Sequence, residues 1–229
     1  MVEEKKIERV KCPNCGEQVA VSLQRVLTPD SRYIDDLFSG TLNCAVCSNC
    51  QARFRVACEL IYKDIEHGVM IVENERPPAK YLQKAILMVD SMATEAARHE
   101  EMPRPDVRLV FSRGEFLEKL FLFRDDLDDR LIEYAKYQLF QDSPVEDELS
   151  HQKHRLLYDP DHSTEENIQF AILLKTDNKM VSGIQVLRKE FEAMAQEFDM
   201  NESLQDELDR IFPSCYVTVD RMFEEENNG

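Results

Sequence analysis

Cys12-Pro13-Asn14-Cys15 and Cys47-Ser48-Asn49-Cys50 are two copies of one short pattern, in which a pair of cysteines flanks two turn-forming residues. Each copy is followed by a segment with apolar residues at every second position, residues 16–21 after the first and 51–56 after the second. A period of two predicts a strand. The two regions therefore align as an internal repeat of a turn and a strand.

Two such cysteine pairs are typical of a zinc ribbon. Four thiolates satisfy the tetrahedral coordination of Zn²⁺ at about 2.3 Å each. The backbone N–H groups of a Cys-x-x-Cys turn also point at the sulfurs and offset their negative charge. We therefore predict that one structural zinc ion is bound by Cys12, Cys15, Cys47 and Cys50.

Cys44 is an alternative ligand, because Cys44-Ala45-Val46-Cys47 is also a Cys-x-x-Cys sequence. Only the pairing of Cys47 with Cys50 reproduces the x-Asn-Cys turn and the strand that follows it. Cys44 then lies on the strand that enters the second turn, where a small, half-buried residue is expected. The sequence leaves open whether Cys44 replaces a ligand.

Disulfides and iron are the rival interpretations of the cysteines. The chain has seven cysteines, an odd number, and it opens with MVEEKK, which lacks the apolar core of a signal peptide. Both features favour reduced thiols in the cytoplasm. Residues 12–16 also resemble half of a rubredoxin iron centre, although Gln51 stands where the second turn would carry its glycine. No apolar stretch reaches the roughly 18 residues of a membrane span.

The charge of the chain argues against general nucleic-acid binding. Its 229 residues include 28 Lys and Arg against 45 Asp and Glu, for a net charge of −17. Residues 1–75 account for −3 of this charge and residues 76–229 for −14. Nucleic-acid binding needs clustered cations. The apolar share of 43% is sufficient for a packed core.

Turn signals and hydrophobic periodicity predict an α+β fold in two parts. The first part is a zinc-ribbon-like antiparallel β region with a helical insertion, and a trailing helix shows apolar residues at helical spacing. Met102-Pro103-Arg104-Pro105 is the best linker candidate, so we predict one domain over 1–102, an α+β domain over 103–223 and a loose acidic tail over 224–229. In the first domain we predict strands at 7–11 and 19–23, a helix from 29–31 to Gly40 that covers one sheet of strands 41–46, 53–62 and 69–72, and a helix at 80–99. In the second domain we predict strands at 107–111, 155–158, 168–175, 180–186 and 215–222, helices at 113–123, 127–140, 188–198 and 203–211, and an exposed loop at 141–152.

This order of segments resembles that of the CpXC-domain proteins, a bacterial and archaeal family. The matching features are the paired cysteine turns, the insertion at 29–40, the apolar segment 59–64 with Met70-Ile71 after it, and the second-half segments 116–119 and 128–133. One residue departs from the family pattern, since Ser48 stands where the family carries a proline. The resemblance implies a zinc-binding region joined to an α+β region, and it brings no established activity.

Two further clusters invite a functional interpretation. Asp125-Asp126-Leu127-Asp128-Asp129-Arg130 could hold a hard cation, but we expect Asp126 to cap the following helix and the others to favour its positive end. Asp129 and Glu133 are then expected to face Arg130 and Lys136. His151 and His154 are expected to be exposed polar residues rather than ligands.

No catalytic motif is evident. The sequence contains no nucleophile elbow, phosphate-binding glycine loop or H-E-x-x-H, and Cys58 and Cys215 are expected to be core thiols. We therefore predict a non-catalytic structural-zinc protein that works as an interaction or regulatory module, with a protein partner or a second copy. The alternatives are a nucleic-acid-binding ribbon that uses Arg9, Lys11, Arg53 and Arg55, and an enzyme with a catalytic zinc or a site in its C-terminal half.

Overall fold

The computed structural model describes residues 7–99, 103–142 and 149–226. The chain forms two compact units, Met1–Arg113 and Gly114–Gly229. Helices and antiparallel strands occur in both, so the predicted α+β class is confirmed. The predicted linker begins at Met102, the predicted loop includes 143–148 and the predicted tail includes 227–229, all of which lie outside the described residues. The predicted boundary at residue 102 stays a prediction.

The first unit contains two hairpins, a mixed sheet and one long helix. Its elements in chain order are β1 (Ile7–Lys11), β2 (Gln18–Ser22), β3 (Val26–Leu27), α1 (Ile34–Phe38), β4 (Cys44–Val46), β5 (Arg53–Arg55), β6 (Leu60–Asp64), β7 (Val69–Glu73), α2 (Leu82–His99) and β8 (Asp106–Val110).

The two hairpins are the structural form of the sequence repeat. Strands β1 and β2 pair antiparallel around the first cysteine turn, and β4 and β5 pair antiparallel around the second. Val19 and Val21 of β2, Ala45 of β4 and Val56 belong to one buried cluster together with two of the cysteines. The alternation of apolar residues that predicted each strand thus places one apolar face of each hairpin in a shared core.

The other strands of this unit form a four-stranded sheet in the order β3-β6-β7-β8. Strand β7 lies between an antiparallel and a parallel neighbour, and its Met70, Ile71 and Val72 are all buried. Helix α2 connects the parallel strands β7 and β8 and packs against β8. Its buried residues are Ile86, Val89 and Ala93.

The prediction of one sheet from 41–46, 53–62 and 69–72 is wrong. The chain leaves the β4–β5 hairpin after Arg55, where the Val56 N–H donates to the Asn43 carbonyl at 2.9 Å, and it enters the second sheet where the Ile61 N–H donates to the Arg25 carbonyl at 2.8 Å. The apolar alternation continues through 53–62, so the sequence gives no sign that the strand partner changes within this range. The insertion helix is also shorter than predicted, five residues in α1, although Gly40 does lie just after it with φ +70°.

The second unit packs helices on one face of a three-stranded sheet. Its elements in chain order are α3 (Arg113–Arg124), α4 (Asp129–Gln141), β9 (His154–Tyr158), β10 (Asn167–Leu174), β11 (Met180–Leu187), α5 (Arg188–Met200), α6 (Glu202–Ile211) and α7 (Asp220–Glu226). The sheet has the order β11-β10-β9 and is antiparallel throughout. Ile168, Phe170 and Ile172 of β10 alternate into a core that also contains Phe191 and Phe198 of α5.

Two local predictions in this unit are wrong. Residues 215–222 form no strand, because the chain runs buried but irregular from Cys215 to Val219 and then begins α7. The Val219 N–H donates to a Glu133 side-chain oxygen at 2.8 Å, so a carboxylate takes the place of a neighbouring strand. The N-cap of α4 is Asp128, which accepts from the Arg130 N–H, rather than Asp126, which adopts φ +54°.

Candidate metal centre

The two cysteine turns have the same backbone geometry. The Cys12 N–H donates to the Glu17 carbonyl at 2.8 Å, and the Cys12 carbonyl accepts from the Gly16 N–H at 2.9 Å. Cys47 makes the equivalent two bonds at 3.0 and 2.9 Å with the residues five and four positions further on. The predicted internal repeat is therefore confirmed at the level of individual hydrogen bonds.

Each turn closes on a residue in the left-handed region. Gly16 has φ +76°, and Gln51 holds the same place in the second turn with φ +59°. A left-handed conformation is strained for most residues with a Cβ atom. The second turn thus has the same shape despite the missing glycine.

The four sulfurs converge on one point. The Sγ atoms of Cys12 and Cys50 are 3.6 Å apart, as are those of Cys15 and Cys47, and all four lie within 4.8 Å of one another. Four sulfurs around an ion at about 2.3 Å are separated by roughly 3.8 Å. The spacing of the sulfurs thus suits a tetrahedral metal site, and each close pair joins one turn to the other.

The sulfurs differ in their burial. Cys12 and Cys47, the first cysteine of each turn, are 2% and 0% exposed and belong to the core between the hairpins. Cys50 is half-buried and Cys15 is exposed. One side of the cluster therefore faces the apolar core and the other side faces solvent.

The asparagines of the two turns reach across the cluster. Asn49 Nδ2 donates to Cys15 Sγ at 3.6 Å, in the opposite turn. Asn14 donates to Cys50, and this hydrogen bond, followed by one from the Ala52 backbone, lowers the pKa of the Cys50 thiol to about 6. Each turn thus supplies a donor to the more exposed sulfur of the other, which favours the thiolate form that binds metals. The shared x-Asn-Cys pattern was the sequence signal for this arrangement.

Cys44 lies outside the four-sulfur cluster. It is on β4, opposite Arg55, and its Sγ lies 3.6 Å from the Gly40 carbonyl oxygen. Its half-buried position agrees with the expectation from the aligned turns.

Asn43 stabilises the join between the two hairpins. Its side-chain Oδ1 accepts from the Gln24 N–H at 2.8 Å, and its Nδ2 donates to the Gln24 carbonyl at 2.8 Å and to Cys58 Sγ at 3.2 Å. The residue itself has φ +58°, a conformation that asparagine tolerates better than most residues. The sequence analysis did not identify Asn43, because a single asparagine outside a turn motif carries no distinctive signal.

The basic residues of the ribbon, which consists of the hairpins β1–β2 and β4–β5, are on the surface. Arg9 and Lys11 of β1 and Arg53 and Arg55 of β5 are exposed, as their alternation with inward residues predicted. Arg55 also donates to the Gly40 carbonyl at 3.3 Å. These side chains are available at the surface of the hairpins.

The other sequence candidates do not form a metal cluster. Among the described residues, only the four cysteines bring three or more candidate ligand atoms together. His151 and His154 are not the exposed residues we expected: His154 is buried and accepts from the Ser150 N–H, and His151 lies 2.7 Å from a carboxylate oxygen of Asp220.

Cys215 is buried and Cys58 is half-buried, and burial raises the pKa of the Cys58 thiol. A raised thiol pKa disfavours the reactive thiolate. Within the described residues, no helix has both the length and the apolar composition needed to cross a membrane.

Comparison with known proteins identifies the family. A sequence profile described as CpXC protein matches residues 10–136, which is more than half of the chain. The match includes both cysteine turns, the mixed sheet, α2, α3 and most of α4. No curated protein and no solved structure shows significant similarity to the chain. The paired turns and the extent of this match establish that the chain belongs to the CpXC family.

Proposed function

We propose that this protein is a non-catalytic, cytoplasmic zinc protein whose metal site maintains the ribbon as an interaction module. Cys12, Cys15, Cys47 and Cys50 hold the ion, and four thiolates leave no position for the water that a catalytic zinc needs. The observation that carries the proposal is the convergence of four sulfurs within 4.8 Å of one another.

Several features of the site favour a structural rather than a catalytic ion. Two of the four sulfurs belong to the small core of the hairpins, so the ion joins two elements that bury little apolar surface by themselves. The sulfurs of Cys15 and Cys50, the two less buried ones, accept hydrogen bonds from asparagines of the opposite turns. These donors offset the charge of the thiolates without adding a proton-transfer group.

Native mass spectrometry of the anaerobically purified full chain tests this proposal. We expect one zinc ion per chain, and we expect Cys12→Ser to lose it, because the remaining three thiolates hold the ion much less tightly. Cys44→Ser is the matched control, since Cys44 is a half-buried cysteine outside the cluster, and this variant should keep its zinc. A metal-free wild-type protein, or equal loss in both variants, would contradict the proposal.

Iron in the same four-sulfur site is distinguished by colour and mass. A rubredoxin-like iron centre is red in air, whereas zinc gives a colourless protein. X-ray absorption separates the remaining alternative, since an oxygen ligand at the ion would indicate a catalytic zinc and four sulfurs would exclude one.

Nucleic-acid binding is the second candidate function, favoured by the exposed cations of β1 and β5. Arg53 and Arg55 share one face of β5, and Arg9 and Lys11 are exposed on β1. Retention on immobilised RNA or DNA that weakens with salt, and that Arg53→Ala with Arg55→Ala removes, would support this function. Indifference to nucleic acid at low salt would reject it.

A further inference from the structure

The two edge strands of the sheet in the second unit differ in whether their outward backbone groups have hydrogen-bond partners. On the β9 edge, the Tyr158 N–H donates to a Glu118 side-chain oxygen at 2.6 Å, and the His154 N–H donates to the Ser150 carbonyl at 2.8 Å. The opposite edge is β11, which has only β10 as a hydrogen-bonded neighbour in this sheet. An uncovered edge presents backbone donors and acceptors to any strand that can reach it.

Strand β11 carries none of the residues that usually protect an edge. Its sequence, MVSGIQVL over Met180–Leu187, contains no charge and no proline, although 32% of the chain is charged. Natural edge strands commonly use lysine, proline or short length to prevent pairing. Val181 and Leu187 are 48% and 40% exposed, so the strand also presents apolar side chains to solvent.

The register of the sheet shows which backbone groups of β11 point outward. The Asp159 N–H donates to the Gln169 carbonyl, so Gln169 directs its backbone groups towards β9, and its neighbours in β10 direct theirs towards β11. The β11 partners of those neighbours are Ile184 and Val186. The backbone groups of the alternate residues Gly183, Gln185 and Leu187 therefore point away from the sheet.

Five of these six outward groups have no backbone partner within the part of the chain that the structure describes: the N–H groups of Gly183, Gln185 and Leu187 and the carbonyls of Gly183 and Gln185. The sixth, the Leu187 carbonyl, accepts the first hydrogen bond of α5, because Leu187 is the N-cap of that helix. The register shift beside Met180 is confined to the start of β11, so residues 182–187 keep a regular strand geometry. The regular segment is about 20 Å long.

We propose that β11 is a self-association surface, on which β11 of a second copy pairs antiparallel around a two-fold axis at Gln185. In this register Gln185 pairs with Gln185 of the second copy, and Gly183 pairs with Leu187 of the second copy. The Gln185 pair exchanges two hydrogen bonds, and in each Gly183–Leu187 pair the Leu187 N–H donates to the Gly183 carbonyl, so about four hydrogen bonds are formed.

The side chains of β11 suit this register. Leu187 lies opposite the small Gly183, and Ile184 lies opposite Val186, so apolar residues meet apolar or small ones across the pair. Arg188, at the end of β11, lies opposite Ser182 rather than opposite another cation. A two-fold arrangement also closes the association at two chains, as isologous interfaces do.

The charge distribution favours β11 over the rest of the surface as the place where two copies make contact. Each chain has a net charge of −17, so two copies repel each other over most of their surfaces, and β11 is an uncharged exposed segment. The association should strengthen as salt screens this repulsion. A strand pair alone buries less than the roughly 1,200 Å² of a specific stable interface, so we expect weak, concentration-dependent dimers.

Sedimentation equilibrium of the full chain tests the proposal with a matched pair of variants. Gln185→Lys places two like charges opposite each other at the axis and should weaken association at least tenfold. Gln169→Lys adds the same charge on the same sheet face one strand further in, because Gln169 is the β10 partner of Gln185. This control should associate as the wild type does, from one chain mass at about 1 µM towards two at several hundred µM, as small interfaces do.

Two results would overturn this inference: a wild-type chain that stays monomeric over that range in high salt, or a Gln185→Lys variant that associates as well as the control. If Gln185→Lys fails to fold, hydrogen exchange of the wild type decides instead. The amides of Gln185 and Leu187 should exchange several-fold more slowly at high than at low protein concentration, and concentration-independent exchange would contradict the pairing.

Discussion

Asp220 shows how one residue can tie distant parts of the second unit together. Its Oδ1 lies 2.7 Å from His151 Nε2 and 3.3 Å from Lys175 Nζ. Burial alone would raise the pKa of Asp220, but the hydrogen bond from His151 and the positive charges of Lys175 and His151 outweigh burial and lower it. The folded state therefore favours the carboxylate, and His151 also stacks on Phe223 of α7 at 3.9 Å between ring centroids.

This lowered pKa predicts an acid-sensitive contribution to stability. A carboxyl pKa below its unfolded value of about 3.9 stabilises the fold above that pH, and the contribution is lost as the pH falls through 3.9 towards the folded pKa. We expect Asp220→Asn to lower the free energy of unfolding by about 1–3 kcal/mol at pH 7, with a smaller difference from the wild type near pH 3. Urea unfolding at both pH values measures the difference.

The matched control for this measurement is Asp206→Asn, since Asp206 is an exposed carboxylate on α6. It should leave the free energy of unfolding within about 0.5 kcal/mol of the wild type, as most surface substitutions do. An Asp220→Asn deficit that stays constant from pH 7 to pH 3 would show that its carboxylate charge is not the cause.

Single residues also show what the sequence could and could not reveal about the site. The grouping of Cys47 with Cys50 rather than Cys44 followed from local alignment, because a turn is specified by residues close in the chain. Asn43 was missed, because its hydrogen bonds to Gln24 join segments 19 residues apart. His151 was expected to be exposed for the same reason, since its partner Asp220 is 69 residues away.

Helices α3 and α4 meet through a network of buried charges. Lys136 Nζ lies 2.7 Å from Glu118 and 2.9 Å from Glu133, and Lys119 Nζ lies 3.0 Å from Glu133 and 2.9 Å from Asp129. All five residues are at most 8% exposed. The positive charges of Lys119 and Lys136 outweigh the effect of burial and lower the pKa of Glu133.

The network predicts a large effect when one partner is removed. Lys136→Met leaves Glu118 and Glu133 with one cation fewer in a buried site, and loss of one member of a buried ion pair costs about 3–5 kcal/mol. We expect the free energy of unfolding to fall by about that amount at pH 7. Chemical denaturation of the variant and the wild type measures the loss.

A second substitution separates charge from packing in this network. Adding Glu118→Gln to Lys136→Met removes one unpaired carboxylate while the amide oxygen still accepts from the Tyr158 N–H. The double variant should therefore be more stable than Lys136→Met alone. Losses that simply add in the double variant would indicate that the charges act independently.

The bounds of helices and strands were predicted best where the apolar residues on one face of the element set them. The bounds of α2, β10 and α5 follow the spacing of their apolar residues. The sheet predicted through 53–62 and the strand predicted at 215–222 were wrong, because the backbone there changes its hydrogen-bond partner without any change in the apolar pattern. The charges of α4 show the same limit. Glu133 does meet Lys136, one turn away on its own helix, but Asp129 also pairs with Lys119 of α3, a partner that the local spacing did not predict.

At the scale of the whole chain, the two cysteine hairpins and the second unit differ in how much core they have to stabilise them. Among the described residues, the core between the hairpins contains six buried side chains, two of them cysteines of the cluster, whereas the core of the second unit contains nineteen and no proposed ligand. Isolated two-stranded hairpins are marginally stable in water. The ribbon should therefore require its ion, and the second unit should not.

Removal of the metal tests this division of the chain. Structural zinc supplies on the order of 10 kcal/mol of folding free energy, so a strong chelator should abolish hydrogen-exchange protection in β1, β2, β4 and β5. The amides of β10 should keep theirs, because that strand lies at the centre of a sheet without ligands. Mass spectrometry of peptides from the exchanged chain measures both regions in one sample, and added zinc should restore the ribbon. Protection of the hairpins in a chain proven free of metal would show that their core folds without the ion, and parallel loss in β10 would show that the second unit depends on it too.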